Sequence, residues 1–206
     1  PRPGERQTTA LLRDQLLFEA VQVGSHRATE FALQRFGELA RGGSVHPDIL
    51  KSVLQTGAWH GAGRELEWLE RRFQESPSEH ERLNVLTASG CFRGRAEIER
   101  ALDWALKKVP PRNQYIPVVS VAANPNAAPL LWDWYRAHLT RLEQFHPMLY
   151  ERVIAAIIPV VGPDRVDAVR RFFGDYLKGH EKLADAIRLS LERLEINLRM
   201  RRRNAP

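Results

Sequence analysis

Apolar residues recur three and four positions apart along nearly the whole chain, the spacing of amphipathic helices. Leu12, Leu16 and Ala20, followed by Ala28, Ala32, Phe36 and Leu39, predict a first helical hairpin, with Gly24-Ser25 as stop and new start. Pro47 fits the first position of a third helix carrying Leu50, Val53 and Leu54. The stretch Gly57 to Gly63 is expected to separate it from a fourth with Leu66, Leu69 and Phe73. At Ser76-Pro77-Ser78-Glu79 the reading is Ser76 as cap, Pro77 in the first turn and Glu79 closing a capping box.

A helix through Leu83, Leu86 and Ala88 ends near Gly90, and Ile98, Ala101, Leu102, Ala105 and Leu106 mark its partner. Pro110-Pro111 stops that partner, because proline lacks an amide donor and disfavours a helical predecessor. A new pair starts near Arg112 and is broken at Asn124-Pro125; the helix after it carries Leu131, Trp134, Tyr135 and Leu139. Leu149, Val153, Ile154, Ile157 and Ile158 give a broad apolar face suited to a buried helix. Pro163 starts the next, with Val166, Val169, Phe173 and Tyr176, and the last runs through Leu183, Ile187, Leu191, Leu194 and Leu198.

No segment requires a strand. Successive hairpins begin at intervals of roughly 30 to 36 residues, the period at which helix pairs stack. The expected fold is therefore all-α: a superhelical stack of antiparallel helix pairs, a HEAT- or armadillo-like solenoid, with a flexible tail over residues 1–7 and one helical domain over 8–203. The tetratricopeptide signature is not met at Trp59, Trp68 or Trp104.

Composition narrows the class. With 43% hydrophobic and 27% charged residues the chain is an ordinary globular protein. No apolar run approaches the roughly 20 residues that span a bilayer, and the start has no signal-peptide character, so the expected setting is cytoplasmic. The absence of an initiating methionine points to a fragment or a processed product. Cys91 is the only cysteine, which removes intrachain disulfides and cysteine-based metal cages. A net charge of +6 would suit a nucleic-acid binder. Its distribution argues against one: Arg64 to Arg72 is interleaved with Glu65, Glu67 and Glu70, the mark of a solvated face, and only Arg199, Arg201, Arg202 and Arg203 form a one-sign cluster.

The chain carries no complete catalytic motif. A zinc-peptidase helix needs two histidines four residues apart. His80-Glu81 is followed by Asn84 at the second position, and His180-Glu181 by Ala184. Gly42-Gly43 and Gly61-Ala62-Gly63 lack the strand and lysine of a phosphate loop and read as turns. Cys91 reads as a buried, inert thiol, and at least one of Trp132 and Trp134 as core. The turn Arg112-Asn113-Gln114 is the candidate for binding, since polar groups at helix starts in a stack often line its concave face; a helix start satisfying its own amides is the alternative.

Several segments, in order, resemble the C-terminal helical domain of the gluzincin zinc aminopeptidases, the group containing puromycin-sensitive aminopeptidase, the endoplasmic reticulum aminopeptidases and the tricorn-interacting factors. They are Leu86 to Ala88 with Gly90-Cys91, Arg112 to Gln114, Val121-Ala122-Ala123-Asn124-Pro125 with Leu131-Trp132, Phe172-Phe173, and Leu191 to Asn197. Val53 to Gly57 and Trp68 to Glu75 extend the similarity over nearly the whole chain. Tyr115 departs from the family, which often has aspartate there, and Met200 replaces a usual tryptophan.

The resemblance implies that zinc and the peptide-cleaving residues belong to an upstream catalytic domain of the same polypeptide. This chain is then expected to hold no catalytic residue, metal or other cofactor, and not to act as an enzyme alone. Its implied role is a cap that encloses the active-site chamber and helps admit and position peptide substrates, with Arg112, Asn113 and Gln114 on the inner wall. The repeat pattern alone equally supports a stand-alone scaffold for a protein partner, while an anionic or nucleic-acid partner at the basic terminus is the weaker alternative.

Overall fold

Glycines and prolines punctuate the chain into helices joined by short turns. The computed structural model describes residues 6–161 and 163–203, and every regular element among them is helical. Residues 1–5 of the expected tail lie outside that description, and the first helix begins at Gln7. The chain divides into two compact units, residues 1–104 and 105–206.

The first unit contains α1 (Gln7–Gln22), α2 (His26–Ala40), α3 (Pro47–His60), α4 (Gly63–Glu75), α5 (Glu79–Ser89) and most of α6 (Arg95–Lys108). Helix α1 packs on α2 and α3, and α3 on α5, the neighbour-but-one contacts of stacked helical repeats. The α1–α2 turn follows from one residue: Gly24 takes a φ of 85°, so that its amide reaches Val21 O and the Ser25 amide Ala20 O. Ser25 Oγ then accepts the Ala28 amide and starts α2.

Each layer of this unit is closed by one aromatic pair packed edge to face. Phe18 of α1 meets Trp59 of α3 at 6.0 Å, Phe36 of α2 meets Trp68 of α4 at 5.3 Å, and Phe73 of α4 meets Trp104 of α6 at 5.5 Å. Such pairs add about 0.5–1.5 kcal/mol beyond their burial.

Three local expectations are corrected here. Gly57 does not end α3, which continues to His60; the Phe36 ring occupies the space a Cβ at Gly57 would fill, so the glycine serves close packing. Ser78, not Ser76, caps α5: its Oγ accepts the Glu81 amide. Ser76 is buried and donates to Glu81 Oε2, while Arg72 donates to Oε1 at 2.8 Å, so the Glu81 carboxylate ties α4 to α5. Finally, Leu12 and Leu16 are exposed; α1 buries Phe18 and Val21 instead, and Asp14 accepts the Ser52 amide and pairs with Lys51.

The second unit contains the end of α6, then α7 (Tyr115–Ala122), α8 (Ala128–Ala137), α9 (Leu139–Leu142), α10 (Pro147–Ile157), α11 (Val166–Tyr176) and α12 (Ala184–Arg203). Helix α10 packs on α7 and α12, and Asn197 of α12 donates to Pro159 O just beyond α10. The helix expected to run unbroken to Leu139 stops at His138, whose ring nitrogen Nδ1 hydrogen-bonds Trp134 O and whose amide reaches the Trp134 and Tyr135 carbonyls. Trp132 and Tyr135 pack with Phe172 and Phe173 in one continuous cluster, and Trp134 is buried as well.

Candidate functional site

Pro110 and Pro111 end α6 and supply no amide to its last carbonyls, which leaves acceptors at the helix terminus. Gln114 meets them. Its side chain is 3% exposed, and Nε2 donates to Leu106 O at 3.1 Å and to Val109 O at 2.9 Å. Its remaining acceptor, Oε1, lies 3.4 Å from Arg141 Nη2, which also reaches Leu106 O. The other arm of Arg141 donates to Gln144 Oε1 at 2.7 Å. The helix terminus thus positions a guanidinium where the negative end of the α6 dipole favours a cation.

Two more arginines join it. Arg152, on α10, donates to Tyr115 OH at 3.2 Å and lies over that ring at 5.5 Å. Tyr115, the departure from the resembled pattern, therefore holds an arginine in place. Arg112 is exposed in the one-turn helix Pro111–Asn113. Arg112, Arg141 and Arg152 line one cavity of about 680 Å³, with Gln114, His146 and Met148. Among the described residues no carboxylate lines it. Forked donors around a concavity suit a planar anion, a carboxylate or a phosphate. Of the residues singled out in the sequence, Arg112 and Gln114 belong to this lining; Asn113 is half-buried in the same turn and outside it.

The family model described as the ERAP1-like C-terminal domain matches residues 1–196. The chain belongs to the ERAP1-like C-terminal domain family. Among curated proteins, the alanine/arginine aminopeptidase of Saccharomyces cerevisiae is 27% identical over 155 residues, covering 71% of this chain and 18% of the yeast protein. The chain thus spans under a fifth of that relative's length.

This ERAP1-like domain holds a second polar constellation, which the sequence did not reveal. Tyr135 OH lies 2.7 Å from Tyr150 OH, Tyr150 OH lies 3.0 Å from Tyr176 OH, and Tyr176 donates to Glu143 Oε1 at 2.7 Å. A carboxylate only accepts and each hydroxyl has one hydrogen, so every hydrogen in the chain points towards Glu143. Burial pushes all three phenols above their ordinary range, and the charge and hydrogen bonds of the neighbouring tyrosines add to the rise at Tyr135. The His180 ring stacks on Tyr176 at 3.8 Å, with Nδ1 bonded to Tyr176 O. The three tyrosines lie on three helices, and only the need of a buried hydroxyl for a partner could have signalled the link.

The other candidates resolve into packing. His80 Nε2 bonds its neighbour Asn84, and Glu81 is committed to Arg72 and Ser76. Cys91 is buried against Gln55 and Thr87. Among the described residues no group of three or more His, Cys, Asp or Glu is placed to hold a metal, and no helix is long and apolar enough to cross a membrane.

Proposed function

We propose that this ERAP1-like domain is the cap of a zinc-dependent aminopeptidase, enclosing the active-site chamber and helping admit and position peptides. The observation that carries the reading is the cavity of Arg112, Arg141 and Arg152, lined by no carboxylate among the described residues, within a chain of this family. Zinc in this proposal belongs to the catalytic domain of the same polypeptide, a reading supported by the family match. The exposed Leu12 and Leu16 on α1 fit a face covered by further polypeptide.

The role of the cavity is to hold a peptide's terminal carboxylate away from the reacting end. Arg112 and Arg152 supply the forks; Gln114 and Tyr115 position their neighbours and need not touch the peptide. Binding energy at a remote carboxylate serves catalysis only when it orients the scissile bond, so length dependence is the expected signature.

The test is hydrolysis by the natural polypeptide of a peptide series with free or amidated carboxyl ends. Arg112→Ala and Arg152→Ala are each expected to lower kcat/KM about tenfold for free-carboxylate peptides, about 1.4 kcal/mol, and to leave short amides unchanged. An unaltered preference for the free carboxylate in both variants removes the cavity from the proposal.

A further inference from the structure

A second cavity, of about 540 Å³, is lined by Glu143, Phe145, Tyr176, His180 and Leu183, among others. The hydrogen-bond chain fixes what it presents. Tyr176 O can only accept, so His180 Nδ1 carries the hydrogen of their bond, and Nε2 is an acceptor whenever it carries no hydrogen. That nitrogen lies 3.8 Å from Glu143 Oε1, which already takes the Tyr176 hydrogen. Two acceptors therefore converge, and among the described residues nothing donates to Glu143 Oε2. Glu143 Oε2 is thus left to accept from a bound group.

Its shape selects among cations. Phe172, Tyr176 and His180 form a three-ring stack, with Phe172 and Tyr176 16° apart and Tyr176 and His180 4° apart, and the exposed His180 ends it. A guanidinium is planar and weakly hydrated, stacks on a flat ring and keeps in-plane N–H groups for a carboxylate; an ammonium has no plane to stack. Phe145 and Leu183 provide apolar surface for a methylene stem. Two lysines also line the cavity beside the carboxylates of Glu143 and Glu181, and Lys178 is held by Asp175 at 2.7 Å.

We propose that this cavity binds the guanidinium of an arginine side chain on a peptide, stacked on His180 and bonded to Glu143. The proposal is independent of the carboxylate reading of the arginine cavity, and a probe blocked at both ends keeps the two apart. Acetyl-Ala-Arg-Ala-amide is titrated into the 206-residue chain by calorimetry, beside the same peptide with citrulline, the neutral isostere of arginine.

The arginine peptide is expected to bind at least about tenfold more tightly than the citrulline peptide, and Glu143→Gln to erase the difference. Equal affinities overturn the proposal, as does an arginine preference that survives Glu143→Gln or an absence of binding at millimolar peptide. Because Glu143→Gln also alters the tyrosine chain, two readouts stand beside it. His180→Ala, at an exposed position, is expected to weaken arginine binding severalfold with unchanged circular dichroism. In the unaltered chain the arginine peptide is expected to shift the His180 ring resonances; shifts confined to other residues overturn the assignment.

Discussion

The two units use the same helices to different ends. In residues 1–104 each aromatic pair closes its own layer, and charges tie neighbouring helices: Lys51 to Asp14, Arg72 to Glu81, Arg100 to Glu67 and Glu70. In residues 105–206 prolines at 111, 117, 125, 129 and 147 sit in the first turns of short helical segments and Pro159 just past α10, and every one-turn 3₁₀ segment among the described residues lies there. Short helices leave backbone groups for side chains to satisfy, and Gln114 at the end of α6 and His180 at the end of α11 each do so and line one of the two cavities. Regular repeats make a wall; interrupted ones make sites.

The contrast is broken most directly through the aromatic residues. Trp132→Ala is expected to cost about 3–5 kcal/mol in urea unfolding followed by circular dichroism, and Trp59→Ala, half-buried in a single pair, about 1–3 kcal/mol. Additivity sharpens it. Phe18→Leu and Phe73→Leu share no partner and should add within about 0.5 kcal/mol, whereas Trp132→Leu with Phe173→Leu should depart from additivity by about 0.5–3 kcal/mol. Additive behaviour in both units dissolves the distinction.

Smaller effects follow at the polar ties. Glu81→Gln strands part of the donor set of Arg72 and Ser76 and should cost about 1–3 kcal/mol in the same assay. Gln114→Ala leaves the Leu106 and Val109 carbonyls without its amide, for about 1–2 kcal/mol, while Arg112→Ala should stay within about 0.5 kcal/mol. A stability loss at Arg112 equal to that at Gln114 would make both structural.

The smallest effect is electrostatic. Burial, then the Arg93 charge, lowers the pKa of His60. A histidine pKa below its unfolded value means that the unfolded chain takes up the proton first, so this contribution is full above the ordinary histidine value and is lost as pH falls through it. The exposed position keeps it slight, and ring-proton titration by NMR should place His60 below the ordinary value.

Order and class were legible because helix stops are local. Gly24-Ser25, Pro47 and Pro110-Pro111 act through φ, a missing amide or a cap within a few residues. Gly57 misled because a glycine that admits a ring and one that ends a helix look identical until Phe36 arrives from 21 positions away. Ser76 reads as the cap from its neighbours alone, and only its tie to Glu81, itself held by Arg72, leaves that place to Ser78. At the site, Arg112 and Gln114 were found through the helix start, but Arg141 and Arg152 come from later helices with no local mark. Tyr135, Tyr150 and Tyr176 sat within apolar patterns that hid their hydroxyls.

The tryptophans give the molecule a built-in optical map. Trp59, Trp68 and Trp104 each sit against a different phenylalanine ring, Trp132 lies inside the aromatic cluster, and Trp134 stacks on His138 at 4.8 Å. A set of variants retaining one indole apiece would let fluorescence time the loosening of each layer separately.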